Sequence, residues 1–147
     1  MSFDCGQFRR LIEEVLRSYP ELNSPAAVNL LLGTAAQESA FGTYFWQRGG
    51  PALGVFQMEP RTYQWLTDRY AATYPAIAGQ PPEDMTWNLK LAILMARLRY
   101  RSVPERLPPA GDIAALARYW KQNYNTALGA GTIEQFQANY KKYVKEV

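Results

Sequence analysis

Residues 24–42 read SPAAVNLLLGTAAQESAFG, and this stretch decides the fold class. Ser24 before Pro25 is an N-cap with proline at the first helical position, where a missing N–H leaves nothing unsatisfied. The run Ala26 to Glu38 is low in Gly and Pro and strongly apolar, as a buried helix requires. Glu38 stands near its end, just ahead of Gly42.

Working outward, the chain on either side keeps the helical period. Phe8, Leu11, Ile12, Val15, Leu16 and Tyr19 recur at three- and four-residue steps, an amphipathic stripe that Pro20 ends. Residues 42–58 hold Gly42, Gly49, Gly50, Pro51 and Gly54, which break the period and predict a loop or short β-hairpin forming one wall of a cleft. Pro60 restarts a helix through about Tyr70, and Pro75 to Pro82 form another break. Asp84 or Thr86 is expected to cap a helix whose apolar residues Leu89, Leu91, Ile93, Leu94, Met95 and Leu98 lie all round, the pattern of a core spine. A proline turn at 104–109 leads to a helix from about Asp112 to Asn123 with Ile113, Leu116, Ala117 and Trp120 on one side. After a Gly-containing loop, Asn125–Gly131, Thr132 and Gln135 match a capping box before the stripe Ile133, Phe136, Tyr140 and Tyr143. The expectation is a mainly α single domain over residues 1–147 with about six helices and no internal repeat.

Composition narrows the chemistry. The 147 residues suit one domain with a real core. Hydrophobic residues at 48% and charged residues at 20% are ordinary for a globular chain, and no apolar run is long enough to span a membrane. There is no histidine and one cysteine, Cys5, which excludes a Ser-His-Asp triad, a Cys-His pair, a His- or Cys-rich zinc site and an internal disulfide. Cys5 reads as a small residue in or near the core. An acid and base must then come from thirteen carboxylates, helped by tyrosine, lysine or water. No metal or organic cofactor is called for. Sixteen Lys and Arg give a net charge of +3, a mild preference for an anionic partner.

Among the carboxylates, Glu38 has the most telling surroundings. It ends an apolar helix beside Ala36, Ala40 and Phe41, so desolvation and the negative end of the helix dipole both raise its pKa. A glutamic acid that keeps its proton near neutral pH is a general acid. The plain alternative is a surface residue at a helix end.

The motifs around it resemble a known family. Glu38-Ser39-Ala40-Phe41, then Gly54-Val55-Phe56-Gln57-Met58, then Tyr124-Asn125 in a Gly-containing turn look like the Glu-Ser, Gly-Leu-Met-Gln and Ala-Tyr-Asn motifs of soluble lytic transglycosylases and goose-type lysozymes. The resemblance spans about residues 24–131. It implies a lysozyme-like fold and cleavage of the β-1,4 linkage between N-acetylmuramic acid and N-acetylglucosamine of peptidoglycan, with Glu38 as the sole acid/base. It further implies that Ser39 orients sugar or structural groups, Phe56 lines the cleft, Gln57 binds substrate, Tyr124 hydrogen-bonds Glu38, and Asn125 shapes the turn.

The chain departs from the family pattern in places. Val55-Phe56 replaces Leu-Met, Asn123 stands where a small alanine is usual, and Thr126-Ala127-Leu128 separates Tyr-Asn from Gly129. A two-carboxylate glycosidase needs a partner roughly 5–9.5 Å from the acid. Glu59 is the nearest in sequence, yet it precedes Pro60 and reads better as the cap of the next helix. Without a second carboxylate, the substrate's own acetamido group would stabilise the oxocarbenium character. Attack by the muramyl 6-hydroxyl then gives a 1,6-anhydro sugar and attack by water a reducing end; the sequence does not choose.

Aromatic residues are 14% of the chain. Tyr44, Phe45, Trp46, Tyr63 and Trp65 flank the expected cleft, where one or two would stack on sugar faces. Arg97, Arg99, Arg101 and Arg106, followed later by Lys141, Lys142 and Lys145, form the densest positive segments, read either as attraction for an anionic envelope polymer or as a solvated helix face.

Three functions therefore compete. The first is a peptidoglycan-cleaving glycosidase; a lysozyme-like domain made without a secretory signal resembles a bacteriophage endolysin or virion-borne lysin, made in a host cytoplasm and acting on the wall in the periplasm. The second is a non-catalytic phage structural or wall-binding protein on the same fold. A small helical nucleic-acid binder ranks last for want of a binding motif, so no nucleic-acid partner is expected.

Overall fold

The computed structural model describes residues 1–125 and 129–145. Among them the protein is mainly helical, with α1 (Cys5–Arg17), α2 (Pro25–Ser39), α3 (Pro60–Tyr70), α4 (Leu89–Arg101), α5 (Ile113–Trp120) and α6 (Ile133–Tyr143). Short 3-10 turns at Pro20–Leu22, Pro75–Ile77 and Pro82–Thr86 join them, and α5 runs on into a π-helical turn, Lys121–Asn125. No helix among the described residues is long and apolar enough to cross a membrane.

The helix starts follow from side-chain caps. Ser24 accepts from the Ala27 N–H, Asp112 from Ala115, and Thr132 and Gln135 close a reciprocal capping box. Two starts differ from expectation. α1 begins three residues before Phe8 because Asp4 accepts from the Gln7 N–H at 3.0 Å. α4 is capped by Asn88, which accepts from the Leu91 N–H, rather than by Asp84 or Thr86; those two are taken up in the 3-10 turn that Pro82 starts.

The hub is α2, which lies against α1, α4, α5 and α6. Every residue from Leu30 to Ala36 is buried, so this helix has no polar face over two turns. α4 is buried continuously from Leu91 to Leu98, and the spine expected there is shared between the two helices. The closest neighbour of α2 is set by a glycine: a Cβ on Gly33 would collide with the Phe136 ring and crowd Tyr140, so only glycine lets α6 pack this tightly on α2.

The segment between α2 and α3 is a loop. Isolated antiparallel bridges, Trp46 to Leu53 and Leu53 to Met58, replace the short hairpin the glycines had allowed, and neither lengthens into a strand among the described residues. The reason is local: Gly54 (φ 80°) and Gln57 (φ 49°) turn left-handed within four residues, and Pro60 then starts a helix. Cys5 is buried as expected, with its sulfur accepting from the Lys145 N–H.

Candidate active site

Two concavities stand out among the described residues. One, about 420 Å³, lies between α1 and the start of α4 and is largely apolar. Its carboxylates are already engaged, since Asp4 caps α1 and Glu14 pairs with Arg17 at 2.8 Å. The other is a polar groove of about 460 Å³ that gathers residues distant in sequence: Glu38 from α2, Gln57 and Glu59 from the loop, Arg99 from α4, and Tyr124 and Asn125 from the π turn. This is the candidate site.

Glu38 sits on the last turn of α2, half-buried, with its carboxyl on the groove. Burial pushes its pKa up to about 7 from an ordinary 4.5, partly offset by a hydrogen bond from Trp120. Immediately beyond, Ala40 (φ 48°) and Phe41 (φ 56°) adopt consecutive left-handed conformations that swing the chain away from the helix axis. For non-glycine residues this costs of order 1–3 kcal/mol each. It is held by burial of the Phe41 ring against Phe8 at 5.6 Å and Tyr143 at 5.8 Å.

The neighbour Ser39 does not face the groove. It is fully buried, donating to the Ala35 carbonyl and accepting from the Gly42 N–H, so the expected contact to sugar is corrected to a cap of the α2 C-terminus. Successive helical residues lie about 100° apart, so when Glu38 points into the groove Ser39 turns into the core.

Tyr124 is also not where the resemblance placed it. Its hydroxyl donates to the Phe56 backbone carbonyl at 2.7 Å, not to Glu38. The group that holds Glu38 is Trp120, whose Nε1–H donates to Glu38 Oε2 at 2.9 Å. Trp120 is fully buried against Phe136, four residues before Tyr124 on the same helical path. Its spacing puts it in the core stripe of α5, where it lies; spacing does not show that a buried indole N–H requires an acceptor, and the one it finds is Glu38. The π turn follows directly and redirects residues 121–125; such insertions recur at functional sites. Burial, with Glu38 nearby, pushes the Tyr124 phenol well above its usual range, so it stays protonated and can donate to Phe56.

On the opposite wall, Gln57 lines the groove and its Nε2 donates to the Gly54 carbonyl, which fixes the loop. Phe56 contributes its carbonyl only; its ring is buried, 6.2 Å from Phe8, so it does not line the cleft as expected. Glu59 occupies the N-cap position of α3, but its side chain makes no capping bond; it is exposed on the groove instead. Of the five aromatic candidates, Tyr63 is buried with its hydroxyl donating to the Gln80 carbonyl and Phe45 packs on Phe3, whereas Tyr44, Trp46 and Trp65 are exposed.

Asn125 lines the groove and accepts from Lys121 Nζ, which also donates to the Gly129 and Gly131 carbonyls. Thr126, Ala127 and Leu128, the insertion noted in the third motif, lie outside the described residues. The arginine segment divides: Arg97 is buried and its Nε donates to the Leu22 carbonyl, Arg99 lines the groove, and Arg101 is exposed. Among the described residues, no three Cys, Asp or Glu side chains gather as metal ligands.

Comparison with protein-family models, with curated proteins and with solved structures finds no match.

Proposed function

We propose that the chain is a glycosidase of the lysozyme-like superfamily that cleaves the β-1,4 linkage between N-acetylmuramic acid and N-acetylglucosamine, with Glu38 as its acid/base. The observation that carries this reading is one half-buried carboxyl on a polar groove, with a pKa of about 7 and one oxygen fixed by the Trp120 N–H. At neutral pH a large share of such groups is protonated and able to donate to a glycosidic oxygen as the bond to the muramyl C1 breaks. Once ionised, the same carboxylate accepts a proton from the incoming nucleophile. That nucleophile is the muramyl 6-hydroxyl in a lytic transglycosylase and water in a muramidase.

In this reading the substrate's acetamido oxygen stabilises the developing positive charge, Gln57 and Asn125 bind sugar polar groups, and the exposed rings of Trp46 and Trp65 are flat faces on which a sugar could stack. The chain then acts as a phage endolysin or virion-borne lysin on the periplasmic wall. The test is release of muropeptides from purified Gram-negative walls, with Glu38→Gln as the control. We expect clearing by the wild type and none by the variant; an equally active variant rejects Glu38 as the acid. Mass analysis of the ends separates anhydro from reducing products.

A second reading, a wall-binding phage protein without turnover, draws on one observation: the Tyr124 hydroxyl rests on Phe56 rather than on the carboxyl it was expected to orient. Retention on walls with no released product supports it.

A further inference from the structure

The groove holds one cation among the described residues, and it is unused. Arg99 lines the groove half-buried, yet its guanidinium makes no hydrogen bond or ion pair among the described residues. Its neighbours on α4 show that this is no general property of the arginine run. Arg97, two residues earlier and so roughly 200° away round the helix, is buried against the Leu22 carbonyl, and Arg101 faces solvent. Neither Glu38 nor Glu59, the carboxylates of the same groove, lies within ion-pair distance of Arg99. The Arg99 charge reaches the Tyr124 phenol, opposing the rise in its pKa that burial causes, so the guanidinium lies on the Tyr124 side of the groove.

A guanidinium on a groove whose N–H groups the protein leaves unused is free to receive an anionic ligand. The five N–H groups of a guanidinium form a planar fork that fits a carboxylate through two parallel hydrogen bonds. The sugar backbone of the proposed substrate is uncharged. Its carboxylates lie on the lactyl arm of each muramyl residue, either along the peptide attached there or, where the peptide has been removed, on the lactyl group itself.

We propose that Arg99 is the specificity residue of the groove, binding a carboxylate carried by the lactyl arm of the muramyl residue and so setting the register of the glycan strand against Glu38. This rests on the glycosidase reading. It makes the chain a reader of the anionic branch as well as a cutter of the sugar chain.

The experiment compares wild type, Arg99→Gln and Arg99→Lys on natural strands, on amidase-stripped strands and on strands whose carboxylates have been converted to amides. Loss of a charge-assisted bidentate contact is expected to lower kcat/KM on natural strands by about 10–100-fold in Arg99→Gln, with a smaller loss in Arg99→Lys. On amidated strands all three proteins should fall to the same low rate. Wild-type activity kept on stripped strands assigns the contact to the lactyl carboxylate; activity lost there assigns it to the peptide. Wild-type speed of Arg99→Gln on natural strands, or an equal loss on amidated strands, overturns the proposal and leaves the glycosidase standing. Absence of product from every strand with the wild type overturns the glycosidase reading and this inference with it.

Discussion

Trp120 donates its indole N–H to Glu38 Oε2 at 2.9 Å across 82 positions of sequence. One carboxyl oxygen is thereby fixed from within the core, while Oε1 has no hydrogen-bond partner among the described residues. The bond also favours the charged form, so it restrains the rise in pKa that burial causes.

Trp120→Phe keeps a ring in the core but removes the N–H. Glu38 should then hold its proton to higher pH, so the alkaline limb of the pH–rate profile moves upward while kcat falls, by about tenfold or more, because the acid is no longer aimed. Wall clearing measured from pH 5 to 9 reads both effects. An unmoved limb would show that the indole only fills space.

Glu38→Gln should stabilise the fold at neutral and alkaline pH while abolishing turnover. The folded carboxyl titrates at about 7 and the unfolded one near 4.5. Between those values the unfolded chain has released a proton that the folded one retains, so wild-type stability falls as pH rises through the window. The full difference is about 3 kcal/mol, reached above pH 7, and it vanishes below pH 4.5. Urea unfolding of both proteins at pH 4, 6 and 8 tests this; a constant gap at all three would contradict it.

Tyr124→Phe separates holding the wall from holding the acid. It leaves the Phe56 carbonyl without its donor, at a cost of about 1 kcal/mol, and should leave the pH–rate limb in place. A limb displaced as far as in Trp120→Phe would mean that Tyr124 does act on Glu38 in the bound state.

Glu59→Gln addresses the number of carboxylates. With a single acid/base, the variant should retain at least about a tenth of wild-type activity, because an exposed carboxylate on the groove contributes only field and binding. Loss as complete as that of Glu38→Gln would make Glu59 the second catalytic group.

Much of the helical layout was legible because caps and apolar period are local signals: Ser24, Asp112 and Thr132 each hydrogen-bond within three residues of themselves. The start of α4 was misplaced because Asp84 and Asn88 are equally good caps on paper, and the 3-10 turn after Pro82 decides between them. In the site, Glu38 was legible from its apolar flanks. Ser39 and Phe56 were not, since motif membership says nothing about rotation: Ser39 turns about 100° away from Glu38, and Phe56 sits in a tight turn that exposes its carbonyl and buries its ring. Trp120 escaped because its partner lies on another helix, a relation that no spacing encodes. Arg99 was visible only as one of four arginines until the helix divided them.

The ammonium of Lys121 has three N–H groups, and all three are committed, to Asn125, Gly129 and Gly131. That is a saturated, three-pronged knot which fastens the end of the π turn to the approach of α6. A flat arginine fork cannot converge on three acceptors spread around a point, so even the charge-preserving exchange Lys121→Arg would loosen this rim. The shape of this rim of the groove thus hangs on a tetrahedral nitrogen set behind the residues that line it.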